Sequence, residues 1–427
     1  MPWDDLANNQ TISYTNLKDA VDTGVLSQKF PIPISNEQIN KALANAYVNI
    51  DTSFPPYAAK ANNQLVVKSD LKSTVTLAFT SGIVWFGIAN NGETSSPTSS
   101  PIQLLCGWNN SNDDGRIFRS TDYGSTYASV LTINQRLYRV RYLPDHRHPS
   151  YPLVSPFLAV GEGGRIVTNS VTDCTSWITI SSPTTRNLFA IAEQPFGNPP
   201  HAVIVGDQRI LRTTTAGQIN SWTIVNSASE VWRSVADGGN GRQYFVAVGN
   251  NNAVIRSTDI SATSWTAMIM PPSTSGKQLR GVAYSTIGSY WYAVGYDISN
   301  PNLPFIMRCK EIAYSEASSV QWEIFDTTGD AFLSGLTSIK SVNFGPGGTI
   351  LNTKLYVGGI NYQYVIDLGT HSNPKNVVTR FDASFSGYST WWLDVDRNAF
   401  ASGFVMAAGL SVGGSEFNST NGGYSNF

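Results

Sequence analysis

The sequence has few charged residues and no long apolar segment. Of its 427 residues only 14% are charged, well below the ~25% of an average soluble domain. Basic and acidic residues nearly balance, at a net charge of −2. A nucleic-acid-binding surface needs a basic excess, so we expect no nucleic-acid partner. The longest apolar stretch, residues 82–89, is too short to span a bilayer, and we expect no membrane insertion.

Cysteine and histidine are also scarce. The three cysteines, Cys106, Cys174 and Cys309, are odd in number and far apart, which argues against a disulfide framework or a zinc site. We expect buried free thiols. His146 and His148 lie in PDHRHPSYP with no third ligand nearby, so we interpret them as part of an exposed loop. No metal and no cofactor are expected.

Against this background, a short apolar strand ending in glycine recurs along the chain. The recurring settings are LLCG, LAVG, VIVG, VAVG, YAVG, LYVG and MAAG, with gaps of 43 to 63 residues. These gaps fit the period of four-stranded propeller blades. The seven glycines are Gly107, Gly161, Gly206, Gly249, Gly295, Gly358 and Gly409. The sequence therefore predicts an all-β fold, a seven-bladed β-propeller spanning residues 61–427.

The repeat around 231–268 shows the predicted blade most clearly. Four β-rich runs, VWRSVA, YFVAVG, AVIRST and WTAM, are separated by turn residues. A tryptophan recurs near the fourth run of several repeats, and we expect it to pack between blades. The predicted packing residues are Trp177, Trp222 and Trp322.

Residues 1–60 differ from the rest and predict a small helical and extended docking segment. Helix patterns at 16–23 and 36–47 each carry one apolar face, but helices this small cannot form a core alone. We therefore expect them to dock on another surface through Trp3, Leu17, Val21, Ile39 and Leu43.

The segment 64–68 (QLVVK) has the pattern of an additional strand, and the last repeat shows no pattern for its outermost strand. We predict that this strand pairs with the last blade near residues 415–419 and closes the ring.

One turn carries a specific motif. Ser120, Asp122, Gly124 and Tyr127 in STDYGSTY match the pattern S-x-D-x-G-x-[TS]-[WY], and a second copy without the glycine contains Ser257, Asp259 and Trp265. This pattern resembles the Asp box, or BNR repeat, of sialidases and of YCF48-like and exo-β-glucosidase-like propellers. The resemblance implies a structural role, in which the aspartate caps its own turn.

The sialidase resemblance does not extend to a catalytic site. The arginine of the family's F-R-I-P motif is missing, since the nearest string is Phe30-Pro31-Ile32-Pro33. We predict no catalytic residues and no enzymatic activity. The alternative is a sialidase-like propeller that binds or hydrolyses glycans, and an arginine–glutamate–tyrosine cluster in the centre of the ring would favour it.

The first 50 residues, from WDDLANNQ to NAYVNI, resemble the N-terminal segments of structural and tail-fibre proteins in phages of Bacteroidetes hosts, the crAss-like phages among them. The resemblance implies a virion protein of the tail, attached to other virion proteins through residues 1–60 and present in several copies. Its exposed part would face a host receptor or surface glycan. We see no signal peptide, so we expect the virion as its location. The missing signal weakens a third reading, a bacterial assembly factor of the YCF48-like kind.

Overall fold

The computed structural model describes one strand near the start of the second compact unit and most of the chain beyond residue 83. The chain divides into two compact units, 1–60 and 61–427, and every described residue belongs to the second. The predicted helices and docking residues of the first unit lie outside the described residues. Described are 66–72, 83–91, 102–109, 112–121, 126–144, 146, 148–152, 156–193, 201–215, 218–226, 229–238, 244–259, 261–271, 274–285, 289–301, 303–310, 322–326, 335–341, 354–370, 373–382, 389–398, 404–412 and 422–423.

The described residues form β-strands and contain no α-helix. The first strand is β1 (Val66–Lys72). Sheet 1 contains β2 (Ile83–Asn90), β3 (Gln103–Asn109), β4 (Gly115–Ser120) and β5 (Ala128–Ile133). Sheet 2 contains β6 (Leu137–Tyr142), β7 (Phe157–Gly161), β8 (Ile166–Asn169) and β9 (Trp177–Ile180). Sheet 3 contains β10 (Leu188–Glu193), β11 (Ala202–Gly206), β12 (Arg209–Thr213) and β13 (Trp222–Asn226).

The later sheets continue the same order. Sheet 4 contains β14 (Trp232–Asp237), β15 (Phe245–Gly249), β16 (Val254–Ser257) and β17 (Trp265–Ala267). Sheet 5 contains β18 (Lys277–Ser285), β19 (Tyr290–Asp297), β20 (Pro304–Lys310) and β21 (Glu323–Asp326). Sheet 6 contains β22 (Leu336–Ser341), β23 (Lys354–Gly359), β24 (Tyr362–Thr370) and β25 (Asn373–Asp382) together with β1. Sheet 7 contains β26 (Ser389–Asn398), β27 (Phe404–Val412) and β28 (Gly422–Gly423). Short 3₁₀ turns follow β7 (Glu162–Gly164) and β15 (Asn250–Asn252).

The predicted repeat of four antiparallel strands is confirmed. The four runs expected within 231–268 are β14 to β17, and each pairs with its neighbour in chain order. Short turns join strands of this kind without crossovers, which gives each sheet a simple up-and-down order. The fold is therefore built from successive local units.

The first strands of the sheets lie side by side. β2, β6, β10, β14, β18, β22 and β26 contact one another in that order, and β26 contacts β2. Apolar clusters fill the spaces between consecutive sheets from sheet 1 to sheet 6. A further, smaller apolar cluster lies within sheet 1. Most of the described apolar residues of sheets 1 to 6 are therefore buried between neighbouring sheets.

The recurring glycines mark a close approach between the second strand and the start of the first. Five of them occupy equivalent places, as predicted, each opposite a buried Trp or Leu of the first strand. Three of the five end their strands as expected, whereas Gly107 and Gly295 lie two residues before the strand end. A Cβ atom at these five positions would lie 1.8–2.3 Å from a backbone carbonyl oxygen, a distance at which only glycine fits. The five are Gly107, Gly161, Gly206, Gly249 and Gly295.

The prediction is wrong by one residue in the last two sheets. In sheet 6 Gly359, not Gly358, pairs with Leu336. In sheet 7 Leu410, not Gly409, pairs with Trp391. Both sheets contain adjacent candidates (two glycines, or a glycine beside a leucine), and spacing alone did not distinguish them.

Directly after this pairing, every first strand contains a bulge. In six sheets one residue of the first strand has no partner in the second strand, and in sheet 7 two residues are skipped. A bulge redirects the side chain of the extra residue out of the regular alternation. The single bulge residues are Phe86, Tyr138, Phe189, Arg233, Arg280 and Thr337.

The spare N-terminal strand pairs differently from the prediction. β1 runs parallel to β25 at the outer edge of sheet 6, with Val66 opposite Val377, and pairs with none of the described strands of the last sheet. The predicted partner segment 415–419 lies outside the described residues. β25 would otherwise present an open edge of hydrogen-bonding groups, and the apolar pattern of QLVVK carries no information on which edge it fits.

Candidate functional site

A buried carboxylate joins the first strands of three sheets. Asp394 on β26 accepts two hydrogen bonds from the Arg141 guanidinium on β6, at 2.8 and 2.9 Å, and one from the Ile88 backbone N–H on β2, at 2.9 Å. Arg139, also on β6, forms a second ion pair with Asp394. We call Asp394, Arg139 and Arg141 the central ion cluster.

These contacts use both oxygens of the Asp394 carboxylate, whose single negative charge faces two guanidinium groups. Asp394 is only 2% exposed and Arg139 9%. Burial alone would raise the pKa of Asp394, but Arg139 and Arg141 hold it below its usual value. Arg141 donates further to the Ile88 carbonyl oxygen at 2.9 Å. A carboxylate that is buried, ionised and fully hydrogen-bonded fixes neighbouring strands in place, and is poorly suited to donating or accepting a proton in catalysis.

The bulge residues of four sheets form a continuous surface of rings and guanidinium groups. Neighbouring ring centroids lie 4.8 Å apart for Phe86 and Trp108, 5.5 Å for Phe86 and Tyr138, and 5.4 Å for Tyr138 and Phe189. The Arg233 guanidinium lies 4.7 Å from the centroid of Phe189. The Arg136 guanidinium lies 4.4 Å from that of Trp108 at the other end. We call this series the bulge arc; it consists of Arg136, Trp108, Phe86, Tyr138, Phe189 and Arg233.

All side chains of the bulge arc are partly exposed. Burial and then the nearby Glu162 raise the pKa of the Tyr138 phenol, which keeps its hydroxyl protonated at neutral pH. The arc thus offers apolar ring area flanked by cations and one hydroxyl. Surfaces with this composition are typical of binding sites and interfaces.

The Asp-box turns form hydrogen bonds within their own loops. Asp259 accepts from the backbone N–H of Thr263 at 3.3 Å and from its hydroxyl at 2.6 Å. The Ser257 hydroxyl accepts from the Phe245 N–H and donates to the Asp259 carbonyl oxygen. In the first copy Ser120 is buried and the Tyr127 hydroxyl donates to Gln103 at 3.3 Å. Asp122 and Gly124 lie outside the described residues.

The repeated tryptophans share one arrangement. The indole N–H of Trp177, Trp222 and Trp265 each donates to the carbonyl oxygen three residues earlier, at Cys174, Ile219 and Ala262. Each ring belongs to an apolar cluster shared with the preceding sheet. Trp322 is buried and its indole N–H points to the sulfur of Met268 in sheet 4, 3.5 Å away. The tryptophans therefore lie where packing between sheets occurs.

The three cysteines and His146 are buried within the fold. The three cysteines are free and buried, as predicted. The expectation of an exposed loop is wrong for His146, which is fully buried with Nδ1 2.8 Å from a carboxylate oxygen of Glu193. The strand end at Glu193 supplies this contact, and it is not visible in the local sequence. Within the described ranges no group of three ligand-type side chains could hold a metal ion, and no described helix is long and apolar enough to cross a membrane.

Sequence reasoning missed both the central ion cluster and the bulge arc. The cluster left no local signal, because its residues are about 250 positions apart. The arc did leave one: the bulge residue follows a buried Trp or Leu and precedes a small residue in Phe86-Gly87, Phe189-Ala190, Arg233-Ser234 and Arg280-Gly281. A large side chain between an apolar and a small residue breaks the strand alternation, and this break marks a bulge.

Comparison with known proteins defines the fold class. No protein-family model matches the chain, and no curated protein does. A solved structure described as "YCF48 bound to D1 peptide" superposes with a TM-score of 0.54 at 12% sequence identity, covering 85% of this chain and 99% of that one. At this identity the likeness concerns the fold alone. The described part of the chain thus has an all-β fold of the β-propeller class, and its sheets are propeller blades.

Proposed function

We propose that this chain is a non-enzymatic structural component of a phage virion, in the tail or a receptor-facing tail fibre, whose propeller is a rigid interaction platform. The observation that carries the platform role is the bulge arc, a preformed surface of rings and cations on four consecutive blades. We further propose that the ring has seven blades, since the first strands of seven sheets follow one another and β26 adjoins β2.

The surroundings of Tyr292, a tyrosine close to both an arginine and a glutamate, support a non-enzymatic role. A sialidase-type mechanism needs a tyrosine nucleophile activated by a glutamate. Tyr292 lies near Arg308 and Glu323, which form an ion pair with each other. Burial, however, raises the pKa of the Tyr292 phenol well above its usual value, which opposes the formation of a nucleophilic phenolate. In addition, the group lies in the later strands of sheet 5 and away from the bulge arc.

The rigidity expected of a platform comes from the central ion cluster. The cluster links β26 of the last sheet to β2 and β6, the first strands of the first two sheets. Surfaces used in particles must keep their shape without the help of a ligand, and a buried, hydrogen-bonded cluster of this kind fixes strand positions.

The virion assignment depends on the N-terminal resemblance. Residues 1–60 form a separate compact unit, in accordance with a segment that attaches the propeller to other virion proteins. The composition also agrees, because a surface with few charges and many Ser, Thr and Asn residues suits an extracellular particle.

The second candidate is a glycan-binding propeller, and the bulge arc favours it specifically. The half-buried rings of Phe86, Tyr138 and Phe189 contact one another edge-on or tilted, at 83° and 46°, and together offer apolar ring area on which a sugar can pack. The propeller in the solved neighbour is described with a bound peptide, so a peptide is a further ligand class for such a platform.

The test is the composition of the particle. Purified virions of the phage that encodes this chain should contain it at a fixed ratio to the other tail proteins, measured by quantitative mass spectrometry. Antibodies against the propeller should label one defined position in electron micrographs. The purified protein should not hydrolyse chromogenic sialosides or glucosides. Absence of the chain from particles, or steady turnover of one of these substrates, would contradict the proposal.

A further inference from the structure

We propose that the bulge arc, extended by Arg280 at the bulge position of the next sheet, binds a carboxylate-bearing saccharide, with Arg233 and Arg280 holding the carboxylate and the rings of Phe189 and Tyr138 packing against the sugar. This inference deepens the proposed interaction platform and names its ligand class. It differs from the sialidase alternative, because it needs neither an arginine triad nor a catalytic tyrosine.

Two cations, Arg233 and Arg280, lie at adjacent bulge positions, and the Asp207 carboxylate, whose charge acts on Arg233, is itself paired with Arg186. Arg233 on β14 donates to the amide oxygen of Asn250 at 3.1 Å, and Arg280 on β18 donates to that of Gln278 at 2.6 Å and to the Tyr296 hydroxyl. All three acceptors are neutral. Neither arginine forms an ion pair with any carboxylate in the described part of the chain. At the other end of the arc, Arg136 is already paired with Asp113.

The two guanidinium groups repel each other. Burial and then the charge of Arg280 lower the pKa of Arg233 to about 10, so both groups remain cationic at neutral pH. The Nε of Arg280 is buried and has no hydrogen-bond acceptor among the described residues. An anion bound between them would relieve the repulsion, and the planar guanidinium fork matches the two oxygens of a carboxylate.

The aromatic side of the arc defines the rest of the ligand. The Phe189 ring contacts the Arg233 guanidinium on one side and the Tyr138 ring on the other, and Tyr138 in turn contacts Phe86. A pyranose ring has a flat C–H face that packs on an aromatic ring, and its hydroxyls can bond to the Tyr138 hydroxyl. A ligand with an anionic group beside such a face would therefore contact the cationic and the aromatic parts of the arc together.

Two other ligand classes fit the arc less well. Nucleic acid requires an extended basic stripe, whereas the chain carries a net charge of −2 and Arg136 is neutralised. An extended peptide gains most of its affinity by adding to a free sheet edge, and the bulge residues lie on the first strands, which are packed against neighbouring first strands.

The experiment measures binding of defined oligosaccharides to the full chain by calorimetry. The probes are trigalacturonate, its carboxyl-reduced neutral counterpart, a sulfated trisaccharide and a short polyglutamate peptide. Trigalacturonate should bind, the neutral counterpart should bind at least about tenfold more weakly because a charge-assisted bond is lost, and affinity should fall with added salt.

Matched variants connect the binding to the arc. Arg233→Gln and Arg280→Gln should each weaken trigalacturonate about tenfold or more, and Phe189→Leu should weaken the charged and neutral sugars alike. Arg212→Gln is the control, because Arg212 also lacks a carboxylate partner but is not a bulge residue. Arg233→Lys, which keeps the charge but loses the fork, should be intermediate. Thermal unfolding of each variant separates lost binding from lost folding.

The proposal is overturned if no carboxylated sugar binds at millimolar concentration, or if the neutral sugar binds equally well. Unchanged binding in folded Arg233→Gln and Arg280→Gln variants has the same consequence. Stronger binding of polyglutamate would assign the surface to an acidic peptide, and stronger binding of the sulfated sugar would remove the carboxylate assignment. Virion composition is measured independently, so the platform function can survive the failure of this ligand.

Discussion

Replacement of the central carboxylate should destabilise the closed ring more than any surface change. In Asp394→Asn the side chain keeps its size and one acceptor oxygen. The other oxygen, which accepts hydrogen bonds in the native chain, is replaced by an NH₂ group. This donor then faces N–H donors of Arg141 or Ile88, and no hydrogen bond can form between them. Arg139 and Arg141 then lose their counter-charge while they remain buried or half-buried. Breaking a buried ion pair from one side costs about 3–5 kcal/mol, a large fraction of the ~5–15 kcal/mol by which proteins are stable.

The expected pH dependence follows from the lowered pKa of Asp394. A carboxyl group whose pKa is lower in the folded state stabilises fully above its unfolded pKa of about 3.9 and loses this effect as the pH falls through the folded value. The difference between the native chain and Asp394→Asn should therefore be constant from about pH 5 to pH 8. It should shrink only below about pH 4.

The assay is urea unfolding followed by tryptophan fluorescence and circular dichroism, with hydrogen exchange to locate the loss. Protection should fall first in β26 and β2, where the cluster joins them. Asp207→Asn is the control, because its ion pair with Arg186 spans 3.6 Å and both side chains are partly exposed, 29% for Asp207 and 50% for Arg186; solvent-exposed pairs contribute about 0–1 kcal/mol. A variant at position 394 that is no less stable than the control would refute the reasoning, as would exchange that rises uniformly through all blades.

Three further outcomes are expected. Gly206→Ala should cost about 1–3 kcal/mol by overpacking, because its Cβ would lie 2.1 Å from the Asn187 carbonyl oxygen. Gly163→Ala, with no atom within 4 Å of its Cβ, should show only the smaller cost of its positive φ; equal losses in thermal melts would contradict this comparison. The three cysteines should not react with a thiol reagent at pH 8 until urea unfolds the chain, since burial raises the pKa of each thiol. Rapid labelling of the native protein would contradict this prediction. Removal of residues 1–60 should leave a folded propeller that does not assemble into particles, whereas removal of 1–72 should also expose the edge of β25 and promote aggregation; light scattering and unfolding curves distinguish the two truncations.

Local regularities in the sequence determined the class of the fold. Short apolar runs, turn residues and glycines at a regular spacing predicted successive four-stranded units, because the pairing within a blade involves strands that are neighbours in the chain. The glycine of the first five units was visible for the same reason: it is required where the second strand approaches the first, within one hairpin. The tryptophan positions followed from the same period.

Contacts between distant residues were decided only by the tertiary structure. The partner of β1 is more than 300 residues away, and an extended apolar segment can pair with any open edge. Asp394 lies 306 residues from Ile88, and nothing near it in the sequence distinguishes it from a surface aspartate. The bulge residues form an arc only because the first strands of different blades lie side by side. The sequence determines which residues can form a blade, since these interactions are local, whereas the meeting of strand ends depends on how the blades pack together.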